Sequence, residues 1–338
     1  MVAFQRSWGL AAALAIALVI VVSGDALAQS GQPTSVNPTA SSVKEGQLLD
    51  ALKPPGSGPS AVTGRVSIPD TKSSVLIQPA GRDWRQIRQE TLPFYGAIAI
   101  LGMLAALVIF YLIRGRIAID GGPSGRTILR FASADRFAHW LTASTFILLA
   151  LSGLNLTFGR KLLLPLIGPE AFTALSQAGK FVHNYGSFAF ALGVVLMILL
   201  WLKDNIPSGA DLAWFSKGGG LIGSDHPPAG RFNGGQKVIF WVVVIGGVAL
   251  SITGYSLMFP FVFTDIAGLQ EANMLHGLIA VGMVAVILAH IYIGSVGMEG
   301  AFDAMGKGEV DLNWAKQHHA LWVEKTEMKG KGAATPAE

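Results

Sequence analysis

The chain has 338 residues, of which 51% are hydrophobic and 14% charged, and its 25 Lys and Arg against 21 Asp and Glu leave a net charge of +4 at pH 7. So little charge on so much apolar material argues against a soluble enzyme and for a polytopic membrane protein, with lipid rather than nucleic acid as its surroundings. The absence of cysteine excludes thiolate-held iron–sulfur clusters, cysteine zinc sites, disulfides and covalent attachment of c-type haem.

In chain order, Arg6 lies in a short basic start, Leu10 to Val22 is an apolar core, and Ala26-Leu27-Ala28 is a small-residue cleavage pattern. Residues 1–28 therefore read as a signal peptide, with an uncleaved anchor helix as the alternative. Residues 29–92 are rich in Pro, Ser, Thr and Gly, a composition that buries too little surface to form a core, and are expected to be an exported, largely disordered arm. Within it, Trp84 to Arg88 is either a short docking segment or part of an unpacked tail.

Five apolar blocks of spanning length follow: about Phe94 to Ile113, His139 to Phe158, Phe181 to Leu202, Val238 to Met258, and Asn273 to Val296. In lipid, only closed helices satisfy the backbone over such lengths, so the expected fold is an all-α membrane protein. The first span occupies 93–113. The basic linker 114–136 holds Arg114, Arg116, Arg126, Arg130 and Arg136 against Asp120 and Asp135, which marks it as cytoplasmic. With an odd number of spans the N-terminus is then exported, and the tail 299–338 is cytoplasmic. The loop Phe259 to Glu271, acidic and without a base, agrees. Arg160, Lys161 and Lys180 in the other outer loop, and the slightly acidic tail, lend the rule no support.

Four histidines lie in or at the mouths of three of the last four spans, within 137–298. His276 and His290 are fourteen residues apart in a stretch without Lys, Arg, Asp or Glu. At 1.5 Å and about 100° per residue they share nearly one helix face, roughly 21 Å apart along the axis, so one metal ion does not reach both. Antiparallel spans place His139 at the depth of His290 and His183 at the depth of His276. Neutral imidazole is a good axial ligand for haem iron, and two bis-histidine haems at two depths need four histidines. Without cysteine such haems are b-type. The competing explanation, structural histidines, is weakened by the cost of ionisable groups in a span. Gly153, fourteen residues after His139, leaves room for a porphyrin or merely allows close helix packing. Gly186, Gly277 and Gly294 read the same way.

His226, His318 and His319 lie in polar segments and are expected to be solvated loop residues. Arg136 stands one turn before His139, where a haem-propionate partner and a membrane-surface anchor are both open readings. Gly218 to Gly223 fits a dinucleotide-binding spacing, but no strand precedes it and no α/β unit follows, so the match is fortuitous. Asn233-Gly234-Gly235-Gln236 opens the fourth span at the depth of His290, where its amides suit either a quinone carbonyl or a helix cap.

Taken together, Asp135-Arg136-Phe137-Ala138-His139-Trp140, Leu151-Ser152-Gly153, His183 with Gly186, Arg231-Phe232-Asn233-Gly234-Gly235-Gln236-Lys237, His276, His290-Ile291-Tyr292 and Trp314-Ala315-Lys316-Gln317-His318-His319 followed by Trp322 resemble the cytochrome b (gamma) subunit of membrane-bound formate dehydrogenase. The likeness runs over roughly Thr127 to Glu327. It implies a four-helix transmembrane dihaem cytochrome b bundle, here with one extra N-terminal transmembrane helix, in the bacterial inner membrane. It further implies two haem b groups, an outer one on His183 and His276 and an inner one on His139 and His290. Electrons would arrive from an iron–sulfur subunit and a molybdenum or tungsten catalytic subunit. They would leave to menaquinone or ubiquinone beside His290, Asn233, Gly235 and Gln236. Formate oxidation itself belongs to the partner subunit, and a higher oligomer is left open. The signal-like segment, the arm and the first span fall outside the resemblance. Two rivals stay open: the cytochrome b anchor of a hydrogenase or thiosulfate-type reductase, and a histidine-relay proton channel or transporter.

Overall fold

The computed structural model describes residues 79–220 and 226–332. The expected signal peptide and most of the arm lie outside the described residues. These fall within one compact unit that begins at Val75.

Helix α1 (Pro79–Gln86) leads through a π-helical turn, Ile87–Thr91, into α2 (Leu92–Arg114), so the last residues of the expected arm are helical. The indole Nε1–H of Trp84 on α1 donates to Asn273 Oδ1 at 3.2 Å, which decides for the docked reading of that segment. Strand β1 (Thr127–Leu129) precedes α3 (Ser133–Leu154), and a π-turn at Asn155–Gly159 lets the chain turn into α4 (Leu164–Trp201). Gly168 at φ 79°, followed by Pro169, breaks α4 near its start, as a residue without Cβ before a residue without N–H can. The short α5 (Gly209–Ser216) lies before α6 (Gly234–Met258), and α7 (Ile266–Tyr292) ends in a second π-turn, Ile293–Gly297. The chain closes with α8 (Ala301–Gly306), β2 (Glu309–Asp311) and α9 (Leu312–Gly332).

Five helical segments are long and apolar enough to cross a membrane. Each extends beyond its apolar block, because hydropathy records only the lipid-facing stretch while the helix continues until a cap or breaker stops it. Helices α3, α4, α6 and α7 form the core, with α2 packed on α7. The outward side chains of α2, such as Leu112 at 77% exposure, are apolar, as a lipid-facing helix requires. Where α3 crosses α4, a Cβ on Gly193 would stand 3.1 Å from the Thr142 backbone, so glycine permits that approach. Phe190, Val194, Val243, Val244 and Met283 pack as a buried layer across the middle of the bundle.

One end of the bundle carries a polar cap made by the basic linker and the C-terminal segment. Ile117 bridges Met298, and β1 pairs antiparallel with β2 with Thr127 opposite Asp311 and Leu129 opposite Glu309. Asp135 fastens this cap to the bundle. Its carboxylate accepts from the Ala132 N–H at 3.0 Å, from Trp201 Nε1 at 2.5 Å and from Arg231 at 3.0 Å, joining the start of α3, the end of α4 and the approach to α6. Arg231 also pairs with Asp204 at 2.8 Å.

Candidate functional site

His276 and His290 lie on one face of α7, with Met283 of the buried middle layer halfway between them. Each imidazole meets one from another helix. His290 faces His139 of α3 with ring centroids 6.1 Å apart and an interplanar angle of 61°. His276 faces His183 of α4 at 6.1 Å and 62°. The helices thus deliver the four histidines as two pairs at two levels, one near the cap and one deeper in the bundle.

The separation is informative. First-row metals bind imidazole nitrogen at about 2.0 Å, and two such bonds in line hold the ring centres about 6 Å apart. Among the described residues no three His, Cys, Asp or Glu gather to hold an ion. Each pair therefore provides two ligands, and the remaining coordination would have to come from a macrocycle, which suits haem iron.

The deep pair has a second layer of support. Ser152 Oγ donates to the Leu148 carbonyl at 2.8 Å, and the same oxygen is 2.9 Å from His183 Nδ1. A hydroxyl whose proton is committed to a carbonyl can only accept, so Nδ1 of His183 carries the proton and Nε2 keeps its lone pair. Thr253 repeats the arrangement, donating to the Ala249 carbonyl at 2.7 Å and standing 3.0 Å from His276 Nδ1. In both cases a glycine follows the hydroxyl residue. A Cβ on Gly153 would lie 3.5 Å from His183 Cε1, and one on Gly254 would lie 3.2 Å from His276 Cε1. Gly153 is thus placed against the opposing helix's histidine rather than in open space.

The pair near the cap is held differently. Nδ1 of His139 is buried without a hydrogen-bond partner among the described residues. Its neighbour Trp140 stands edge-on at 5.1 Å and donates through Nε1 to the Met305 carbonyl at 2.9 Å. Arg136 NH1 reaches the Gly306 carbonyl at 3.3 Å, so this arginine braces the cap.

Asn233 and Gln236 form a capping box at the start of α6. Asn233 Oδ1 accepts from the Gln236 N–H at 2.9 Å, and Gln236 Oε1 accepts from the Asn233 N–H at 3.1 Å. Their amide nitrogens have no partner among the described residues. Gly235 has a packing reason of its own: a Cβ there would sit 2.9 Å from the Trp214 ring, and Gly234 and Gly219 are pressed by the same indole.

The expectation that His318 and His319 are solvated is overturned. His319 is 0% exposed; its Nε2 takes a hydrogen bond from Arg130 at 3.0 Å and its Nδ1–H donates to the Gly230 carbonyl at 2.8 Å. Arg130, itself buried, lies over the rings of Phe131, Trp314 and Trp322 at 5.0 to 5.5 Å. Burial, and then the charge of Arg231, lower its pKa to about 9. Burial also holds His319 well below its ordinary value, and it holds His318 at about 4 with help from His226 and Arg130 against Asp120. Residue type and polar neighbours concealed this, because the apolar partners, Trp314 and Trp322, come from the same helix as the histidines. His226 too is half-buried rather than solvated: its side chain is 22% exposed, its Nε2 lies 2.7 Å from Asp120 Oδ2, and its Nδ1 is buried without a partner among the described residues.

Five spanning helices, three of them bringing four imidazoles face to face at two levels, define a multi-pass membrane cytochrome of the b class. Residues 130–308, more than half of the chain, match the family model of prokaryotic cytochrome b561, and the chain belongs to that family. Membership implies haem b. Among curated relatives, the formate dehydrogenase cytochrome b556(fdo) subunit of Escherichia coli strain K12 is 30% identical over 210 residues, covering 60% of this chain and 96% of the relative. The nitrate-inducible formate dehydrogenase cytochrome b556(Fdn) subunit of the same strain is 28% identical over 213 residues, covering 60% and 95%. The formate dehydrogenase cytochrome b556 subunit of Haemophilus influenzae is 28% identical over 205 residues, covering 59% and 83%.

Proposed function

We propose that this chain is the membrane-anchoring, dihaem cytochrome b subunit of a formate dehydrogenase complex, and that it carries electrons from an iron–sulfur partner subunit to membrane quinone. The observation that carries the reading is the pair of 6.1 Å imidazole encounters at two levels in a chain of the b561 family. The names of the relatives supply formate, and a molybdenum- or tungsten-bearing catalytic partner outside the membrane accords with the resemblance.

His183 and His276 would hold the outer haem, and His139 and His290 the inner one. Haem iron, when bound, supplies reversible one-electron chemistry between its ferric and ferrous states. The protein's part is geometric. It fixes the rings and separates the two levels by the packed middle layer. On the capped side, taken as cytoplasmic from the arginines of the linker, Asn233 and Gln236 have spent their oxygens on the helix cap and retain NH2 groups that can donate to a quinone carbonyl beside His290. Gly235 belongs to this site by keeping Trp214 against the helix start.

Membranes containing the complex test the reading. Formate should reduce b-type haem, with two haems per chain after purification. Reduction by hydrogen but not by formate would transfer the subunit to a hydrogenase. A colourless purified chain would return it to the proton-relay class.

A further inference from the structure

We infer that Ser152 and Thr253 are positioning residues that set the redox potential of the outer centre, through hydrogen bonds to the two histidines that would ligate it. The inference rests on the dihaem reading above and goes beyond it by assigning roles to two hydroxyls that ligate nothing.

The two residues do one job from two helices. Ser152 on α3 serves His183 on α4, and Thr253 on α6 serves His276 on α7. Each oxygen bonds both a backbone carbonyl on its own helix and the Nδ1 of the facing histidine. Each is followed by a glycine at which a Cβ would meet the imidazole edge, at 3.5 Å for Gly153 and a tight 3.2 Å for Gly254. An imidazole whose Nδ1–H is held by an acceptor is a stronger donor at Nε2, because the acceptor draws the proton and leaves the ring more imidazolate-like. A stronger donor favours ferric over ferrous iron and lowers the potential. His139, in the other pair, has a buried Nδ1 with no such partner among the described residues, so the same chain holds an internal contrast.

The experiment is a potentiometric titration of the intact complex, followed by optical and electron paramagnetic resonance spectra, for wild type, Ser152→Ala, Thr253→Val and Thr253→Ser. The wild type must first show two haems, which is where the dihaem reading itself would fail. Given two haems, Ser152→Ala and Thr253→Val should raise the potential of one centre and leave the other in place. The expected change is about tenfold in the ferric-to-ferrous ratio at a fixed ambient potential, or about 59 mV for a one-electron couple. Thr253→Ser should keep the wild-type value, because it keeps the hydroxyl. Should Thr253→Val lose one haem instead, the potential in Ser152→Ala decides: a raised value at one centre supports the inference and an unshifted one overturns it. No shift with both haems present, equal shifts at both centres, Thr253→Ser behaving as Thr253→Val, or loss of both haems from either variant overturns it.

Discussion

The two imidazole pairs have the same separation and nearly the same ring angle, yet they are embedded in different material. The deep pair is held by side-chain hydroxyls inside the bundle. The pair near the cap is held by what surrounds it: Trp140 and Arg136 reach the carbonyls of Met305 and Gly306 in the capping segment. One pair is thus a property of four helices alone, while the other depends on a second layer of chain folded over the helix ends. Ligand identity and spacing leave this difference unstated, and it predicts that the pairs respond differently to mutation.

The largest expected effect is His276→Ala, which should reduce two haems per chain to one, as measured by pyridine haemochrome assay. His290→Ala should remove the other haem and, with it, quinone reduction. Loss of neither haem in either variant would contradict the ligand assignment. Next is His319→Ala, which leaves the buried Arg130 guanidinium short of one partner at a cost of about 1 to 3 kcal/mol. That loss should appear as faster proteolysis of α9 and a disturbed spectrum of the haem near the cap, with the deep haem unmoved.

Acidification probes the same asymmetry more gently. His318 stays neutral in the folded cap down to about pH 4, whereas an unfolded cap takes up its proton near 6.5. Stability present above pH 6.5 should therefore decline as pH falls from 6.5 towards 4, because there the unfolded form binds more protons. Hydrogen exchange in α9 should accelerate over that window, and unchanged exchange would deny the half-buried His318 its neutral state. The smallest effect separates two glycines. Gly254→Ala places a methyl 3.2 Å from His276 and should shift the outer haem's resonance signal, while Gly153→Ala at 3.5 Å from His183 should be close to silent.

The bundle was legible in the sequence because a span has few physical solutions: long apolar runs become helices, and histidines fourteen residues apart on one of them stand at two depths. The facing of His139 with His290 and of His183 with His276 followed from antiparallel order. The cap was less legible. Nothing in the basic linker announces that Thr127–Leu129 pairs with Glu309–Asp311 almost two hundred residues later, because three-residue strands carry too little pattern. His319 looked solvated for a related reason, since Arg130 and the Gly230 carbonyl reach it from distant segments while Trp314 packs on it from its own helix. Several residues of the family-like segments, Asp135, Arg231 and Trp314 among them, turn out to build this cap rather than to touch His139, His183, His276 or His290. The hydroxyls of Ser152 and Thr253 were in plain view, but serine and threonine are common in spans, and only their distance from Nδ1 distinguishes these two.

The most direct test is quantitative haem analysis of the purified chain with its dithionite-reduced minus oxidised spectrum. Two b-type haems per polypeptide, falling to one in His276→Ala and to one in His139→Ala, is the predicted result. A preparation without haem, or one in which a single substitution removes both centres while the chain stays folded in the membrane, would contradict it.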